Sequence, residues 1–340
     1  ENDSIWLGND PTSTTDTASD SVAVGATALD AVTTGDSNVA IGKGALTALT
    51  TGYSNTAIGK EALATITTFY HNTAVGLDAL NANTTGYSNI AVGNNALKAN
   101  TTAANNTAVG YNSLKTTTTA TGLTAVGKGT LEVSTGANNT AVGASALAVN
   151  TTAADNTAVG KGSLTANTTG SANAAVGALA LTANTTGNYN VAVGGSALAA
   201  NTTAENNIAI GLNAMATNTT GEHNVAIGRD ALTANTTAAN NTAVGKDALK
   251  ANTTGSENVA VGTSALLVST TADNNTSVGH ESLTANTTGA NNVAVGYRTL
   301  YVNTTGGSNV AIGSGNALGA NTTASNNVAV GNAALAANTT

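Results

Sequence analysis

The chain alternates apolar and polar positions on a fixed ruler. Asn-x-Ala-(Val/Ile)-Gly recurs with its glycine at Gly25, Gly42, Gly59 and onward in steps of 17. One residue is deleted before Gly143 and one is inserted before Gly331. Counting back from Gly25 reaches Gly8, where Ser4-Ile5-Trp6-Leu7-Gly8 has the shape of Ser21-Val22-Ala23-Val24-Gly25. A period of this kind, sustained over the whole chain, is the signature of a stacked repeat architecture.

One unit reads Asn224-Val225-Ala226-Ile227-Gly228, Arg229-Asp230-Ala231-Leu232, Thr233-Ala234-Asn235-Thr236-Thr237 and a variable stretch before Asn241. The first five residues predict a short strand, with β-branched residues flanking Ala226 in period-two alternation. Gly228 suits a corner, and Asn-Thr-Thr-(Gly/Ala) suits a second turn. A strand-plus-helix repeat needs about 20 to 29 residues, so a 17-residue unit leaves no room for a helix. The expected fold class is all-β: a parallel β-solenoid, or β-roll, of about twenty 17-residue coils, occupying 1–340 as a single repeat domain. Residues 1–20 are read as a degenerate first coil or cap and 21–340 as regular coils, irregular near 116–139 and 313–318.

The alternation places Asn224, Ala226 and Gly228 on one face and Val225 and Ile227 on the other. The Ala226 position is Ala in every coil except at Ser277 and Trp6, which predicts a narrow interior. The Ile227 position is always Val, Ile or Leu. A solvated face has no need of an aliphatic residue in every coil, so this face is expected to meet a partner, most simply another copy of the same surface. Ordering a residue costs about 1–2 kcal/mol and burying a Val or Leu returns about 1.5–3 kcal/mol. A thin coil therefore depends on stacking and on burial between chains.

Composition changes this picture little and excludes much. Charged residues make up 8% and aromatics 3% of the 340 residues, with 38 Gly and one Pro. Low charge and recurring Val, Ile and Thr argue against disorder. The net charge of −8 reads as scattered along the chain with no basic stripe, which makes nucleic acid an unlikely partner. There is no cysteine, so disulfides and thiolate metal sites are absent. No apolar run approaches the roughly 20 residues of a membrane span. With no signal-peptide pattern at Glu1, the chain reads as a processed or truncated piece of something longer.

Asn38-Val39-Ala40-Ile41-Gly42 and its copies resemble the head repeats of trimeric autotransporter adhesins, left-handed parallel β-rolls wound three to a trimer. The longer unit, such as Asn241-Thr242-Ala243-Val244-Gly245 through Asn252-Thr253-Thr254-Gly255, is similar to repeats of phage tail fibres and related virion proteins. The resemblance covers essentially the whole chain. It departs from adhesin heads in its 17-residue rather than roughly 14-residue coil and in lacking a recognisable neck, stalk or anchor, which favours the viral fibre. The resemblance implies a homotrimeric, extracellular segment on a virion tail or bacterial surface. It would join other fibre or virion proteins at both ends and serve as a spacer, with a cell-surface glycan or protein receptor as a further partner.

Enzymes bring unlike groups together, whereas this chain repeats like groups along a line. His71, His223 and His280 lie in distant coils without a recurring carboxylate, so no catalysis, metal site or cofactor is expected. The dense Asp of calcium-binding solenoids is absent. Asn38, Asn55, Asn72, Asn89 and Asn106 predict a ladder of stacked amides, broken at Leu123 beside Thr116-Thr117-Thr118-Thr119. Asn83, Asn100, Asn150 and Asn184 begin Asn-Thr-Thr units that match the N-glycosylation sequon, but so many copies at a turn point to turn geometry. Ice binding by the threonine ladder is an alternative, disfavoured because adjacent threonines in an extended strand point to opposite faces. Tyr53, Tyr70 and Tyr87 are 17 apart, with Phe69 and His71 beside the middle one. They predict a stacked patch, a candidate glycan-binding surface or a simple stabilising ladder. Lys43 with Lys60, and Arg229 with Lys246, fall in register as solubility features.

Overall fold

Three residues per coil are enough to make a strand when the next coil supplies the partner. In the computed structural model, which describes residues 4–8 and 17–339, the strand triplets of consecutive coils within each of two compact units pair in parallel in the same register. Val225, Ala226 and Ile227 oppose Thr242, Ala243 and Val244. The chain divides into two compact units, Glu1–Thr169 and Gly170–Thr340. The first contains strands β1 (Ile5–Gly8) through β10 (Thr157–Val159), and the second contains β11 (Ala174–Val176) through β20 (Val328–Val330). Each unit is a parallel β-solenoid. No helix occurs among the described residues, and so none is long and apolar enough to cross a membrane.

The expected first coil is present as a strand: Ile5, Trp6, Leu7 and Gly8 pair with Val22, Ala23, Val24 and Gly25. The rest of the proposed cap, residues 1–3 and 9–16, lies outside the described residues.

Each coil closes around a core of small side chains. In the coil of Asn224, the residues Ala226, Ala231, Leu232 and Asn235 are fully buried and Ala238 nearly so. The interior is narrow, as the recurring alanine predicts, and Leu232 is its largest occupant. The Ala-Leu segment that invites a helical reading is instead a pair of turns. Ala231 N–H donates to the Gly228 carbonyl at 3.3 Å and Asn235 N–H to the Leu232 carbonyl at 3.1 Å. Leu232 sits at φ 51° and Asp230 at φ 58°, left-handed values that are uncommon outside glycine. Coil-to-coil bonds hold them, including Leu232 N–H to the Ala248 carbonyl at 3.0 Å and Asp230 N–H to the Leu212 carbonyl at 3.0 Å.

The predicted asparagine ladder exists, and a second one runs beside it. In the first, Oδ1 of Asn224 accepts the backbone N–H of Asn241 at 2.9 Å, and Nδ2 of Asn224 donates to the Ala238 carbonyl at 2.9 Å. In the second, Nδ2 of Asn235 donates to Oδ1 of Asn218 at 2.8 Å and to the same Ala238 carbonyl at 3.0 Å. Two amides thus use both lone pairs of one buried carbonyl, which joins the ladders in every such coil. The second ladder is built from the Asn-Thr-Thr asparagines. Asn83, Asn100, Asn150 and Asn184 are fully buried, so in the folded coil these sequons present no amide to a glycosylating enzyme.

Both ladders have interruptions. Leu123 occupies a first-ladder slot, fully buried, where its N–H still reaches Oδ1 of Asn106 at 2.8 Å but its side chain cannot accept. The deletion lies close by, where Ser134-Thr135-Gly136 replaces Asn-Thr-Thr-Gly. The insertion lies in the turn around Gly315 (φ 63°) and Asn316 (φ 70°). The second ladder begins at Asn83, after Val32, Leu49 and Ile66 in the same slot, and is broken where the adjacent Thr117 and Ser134, and later Ser269, replace Asn. The buried polar atoms without a partner are Oδ1 of Asn100, Oγ1 of Thr117, Oδ1 of Asn252 and Oγ of Ser269, and all four sit at these two breaks. Ser269→Asn should let Nδ2 donate to Asn252, raising stability by about 1–2 kcal/mol; a denaturation midpoint unchanged or lowered would contradict this.

Candidate functional site

The outward side of each sheet is apolar. Because Ala226 points inward, its neighbours point out, and Ile227 is 38% exposed. Val176, Val193 and Ile210 in the second unit, and Ile41 and Ile58 in the first, are similarly exposed at the same position. The preceding position mixes half-buried Thr and Val with exposed Ile90, Ile208 and Val259. Single exposed aliphatics are ordinary on any protein, but rows of them in consecutive coils are a different feature.

Two margins border this face. After the strand come the corner glycine and the turn. Before it come the two residues that precede the first-ladder asparagine. The cations are not scattered across these margins: all ten Lys and Arg lie on the margin after the strand, within five residues of a corner glycine, whereas carboxylates lie on both margins. The reading of charge as scattered is therefore correct along the chain and incorrect across it for the cations, because the 17-residue period places them on the same margin within each unit. Within this margin Lys98 pairs with Asp78 at 2.7 Å, and Lys250 with Asp247 at 2.9 Å and Asp230 at 3.9 Å. The Lys250 hydrogen bond holds the Asp247 carboxyl below the usual carboxylate range. The lysine ends are exposed while the carboxylates are half-buried, and with one partner in water each pair contributes little.

The aromatic patch assembles as the spacing predicts. Tyr53 and Tyr70 stack at 4.9 Å and 14°, and Tyr70 and Tyr87 lie 5.8 Å apart at 34°. His71 packs edge-on to Tyr53 at 5.6 Å and to Tyr70 at 5.0 Å. Phe69 makes none of these ring contacts. It is half-buried in the slot that Gly52 and Gly86 fill in adjacent coils, and its carbonyl accepts from Nδ2 of Asn55 at 2.9 Å. Tyr70 has a ring on each side, while Tyr53 and Tyr87 at the ends of the stack remain exposed.

No family model matches the chain, and no curated protein matches it in sequence.

A second aromatic group had no counterpart in the sequence reading. His280 stacks on Tyr297 at 5.7 Å and 5°, and Arg298 lies over Tyr297 at 5.3 Å and Tyr301 at 4.9 Å while pairing with Glu281. The same ruler could have found it, since Tyr297 follows His280 and Arg298 follows Glu281 by 17. Among the described residues no group of three or more His, Asp or Glu is placed to hold a metal.

The threonines differ from expectation. Thr236 and Thr237 are both on the surface, not on opposite faces. The N–H groups of Thr219 and Thr220 both donate to the Thr236 carbonyl, at 2.9 and 3.2 Å. Two successive N–H groups can converge on one acceptor in a bend but not in an extended strand. The first hydroxyl of each pair is spent within the solenoid, as in Thr236 Oγ1 to the Thr253 carbonyl at 3.2 Å.

Proposed function

We propose that this chain is a structural and adhesive segment of a multi-chain fibre, most simply a homotrimer, on the outside of a virus or cell. The observation that carries this reading is the row of Val and Ile repeated along the outward sheet face. Burying it between copies would add the apolar burial that a thin coil lacks. The repeat resembles those of phage tail fibres most closely in unit length, which favours a virion tail spacer with a host-recognition surface. The bacterial adhesin head is the neighbouring alternative. No catalytic role is proposed, since the chain repeats like groups instead of gathering unlike ones.

Native mass measurement of the full chain should give three copies. Ile210→Lys with Ile227→Lys should shift it toward monomer with the coil spectrum retained, because a lysine on the apolar face must be desolvated to pack. A wild-type monomer at micromolar concentration would refute the assembly.

The paired surface threonines favour one further reading, ice binding. Nine consecutive coils of the second unit carry Thr-Thr, from Thr185-Thr186 to Thr322-Thr323. Thermal hysteresis of the isolated protein would support it, and its absence would leave the fibre.

A further inference from the structure

The margins of the sheet face differ in charge in a way that the fold imposes. In the first unit Lys43, Lys60, Lys128 and Lys161 directly follow a corner glycine, and Lys98 and Lys115 lie four residues further on. In the second, Arg229, Lys246, Lys250 and Arg298 occupy the same turn. Carboxylates share these turns, Asp30, Glu61, Asp78 and Glu132 in the first unit and Asp230, Asp247 and Glu281 in the second, and pair with several of the cations, so this margin keeps only a small net positive charge. The opposite margin contains no Lys or Arg in either unit. Its charges are carboxylates: Asp20, Asp36 and Asp155 in the first unit, and Glu205, Glu222, Glu257 and Asp273 in the second. Backbone bonds stack these positions coil on coil, as in His223 N–H to the Glu205 carbonyl at 3.3 Å and Asn240 N–H to the Glu222 carbonyl at 3.1 Å. The donors that meet them are neutral, the Asn188 side-chain amide on Glu205 at 2.7 Å and the Ser256 backbone N–H on Asp273 at 2.7 Å.

We propose that the two margins are the two halves of one interface between copies of this chain, the carboxylate margin of one copy meeting the cation margin of the next. The proposal rests on the multi-copy reading above and adds its geometry. An apolar strip bordered by charge has the anatomy of a protein interface, with a dry centre and a polar rim. Complementary margins steer encounter and set register, while like margins repel. Because the margins differ, the contact is heterologous, and a heterologous contact that closes makes a ring of copies. Parallel side-by-side copies bring unlike margins together. The same charge pattern explains why carboxylates such as Glu205 and Glu222 can be stacked one coil apart with no cation beside them in their own chain.

The test uses the full chain with exposed charges reversed in the second unit. Reversing one margin (Glu205→Lys, Glu222→Lys, Glu257→Lys and Asp273→Lys together) should weaken association at least tenfold in sedimentation at low salt. Reversing the other margin as well (Arg229→Glu, Lys246→Glu, Lys250→Glu and Arg298→Glu) should restore it, because the swapped chain is again complementary to itself. Wild-type association should also weaken as salt rises from 50 to 500 mM. A wild-type monomer would overturn the assembly itself. A wild-type oligomer indifferent both to single-margin reversal and to salt would overturn the margin pairing alone. Circular dichroism identifies a variant that fails to fold, in which case the wild-type salt titration decides.

Discussion

Gly228→Ala is expected to cost about 3 kcal/mol or more of stability, a size reserved for a few named mechanisms. Two of these coincide at this corner. Gly228 has φ +134°, a conformation that side chains on an L-residue rarely adopt. A Cβ there would also lie 2.5 Å from the Gly245 carbonyl oxygen and 2.6 Å from its carbon. The obstacle is backbone of the next coil, itself a corner glycine, so relief in one coil transfers the clash to its neighbour. Gly195 supplies the control. Its Cβ would meet only Cδ1 of Leu212, at 3.3 Å, so Gly195→Ala should stay within about 0.5 kcal/mol of wild type. Denaturant midpoints compare the two, and faster amide exchange confined to the coils around Val225–Ile227 and Thr242–Val244 would place the damage. Equal midpoints for both variants would show that the corner does not require glycine.

Asn241→Ala should be nearly as damaging, lowering stability by about 2–4 kcal/mol as buried groups lose their partners. Oδ1 of Asn241 accepts both the backbone N–H of Asn258 at 2.9 Å and its Nδ2 at 3.1 Å. Nδ2 of Asn241 donates to the Gly255 carbonyl at 2.9 Å. Nδ2 also donates to the Ala239 carbonyl at 3.3 Å; alanine removes all four bonds and leaves a void, in an interior where water has no ready access. Asn241→Leu should be the milder change because it fills the slot, as Leu123 does where the ladder stops after Asn106 and resumes at Asn139. If Asn241→Ala and Asn241→Leu unfold at the wild-type midpoint, the ladder carries no stability.

Much of the coil was legible before any coordinates. The corner glycines, the inward alanines and the first asparagine ladder each follow from one residue type returning at one position, because a solenoid converts a period in sequence into a column in space. The Tyr53, Tyr70 and Tyr87 stack followed for the same reason. The second ladder was hidden by its own local signal. Asn-Thr-Thr looks like a surface turn, and only the closed coil turns Asn235 inward while Thr236 and Thr237 stay out. The left-handed leucines were equally hidden: nothing in Ala231-Leu232 marks φ 51°, which is imposed by the need to close a coil with a leucine inside.

By itself the sequence determined the all-β class, the length of the coil and the identity of the inward strand residue, since these depend on periodicity and side-chain size alone. The tertiary structure decided which way each turn residue faces and where the charges collect. Both depend on how the path closes around the core, and closure is a property of hydrogen bonds between coils that no single repeat contains. The segregation of cations to the margin after the strand, in each unit by itself, is the consequence with the widest reach: Lys43 and Lys161 in the first unit, and Arg229 and Arg298 in the second, are remote in sequence, yet each follows its strand and therefore borders the same side of its own sheet.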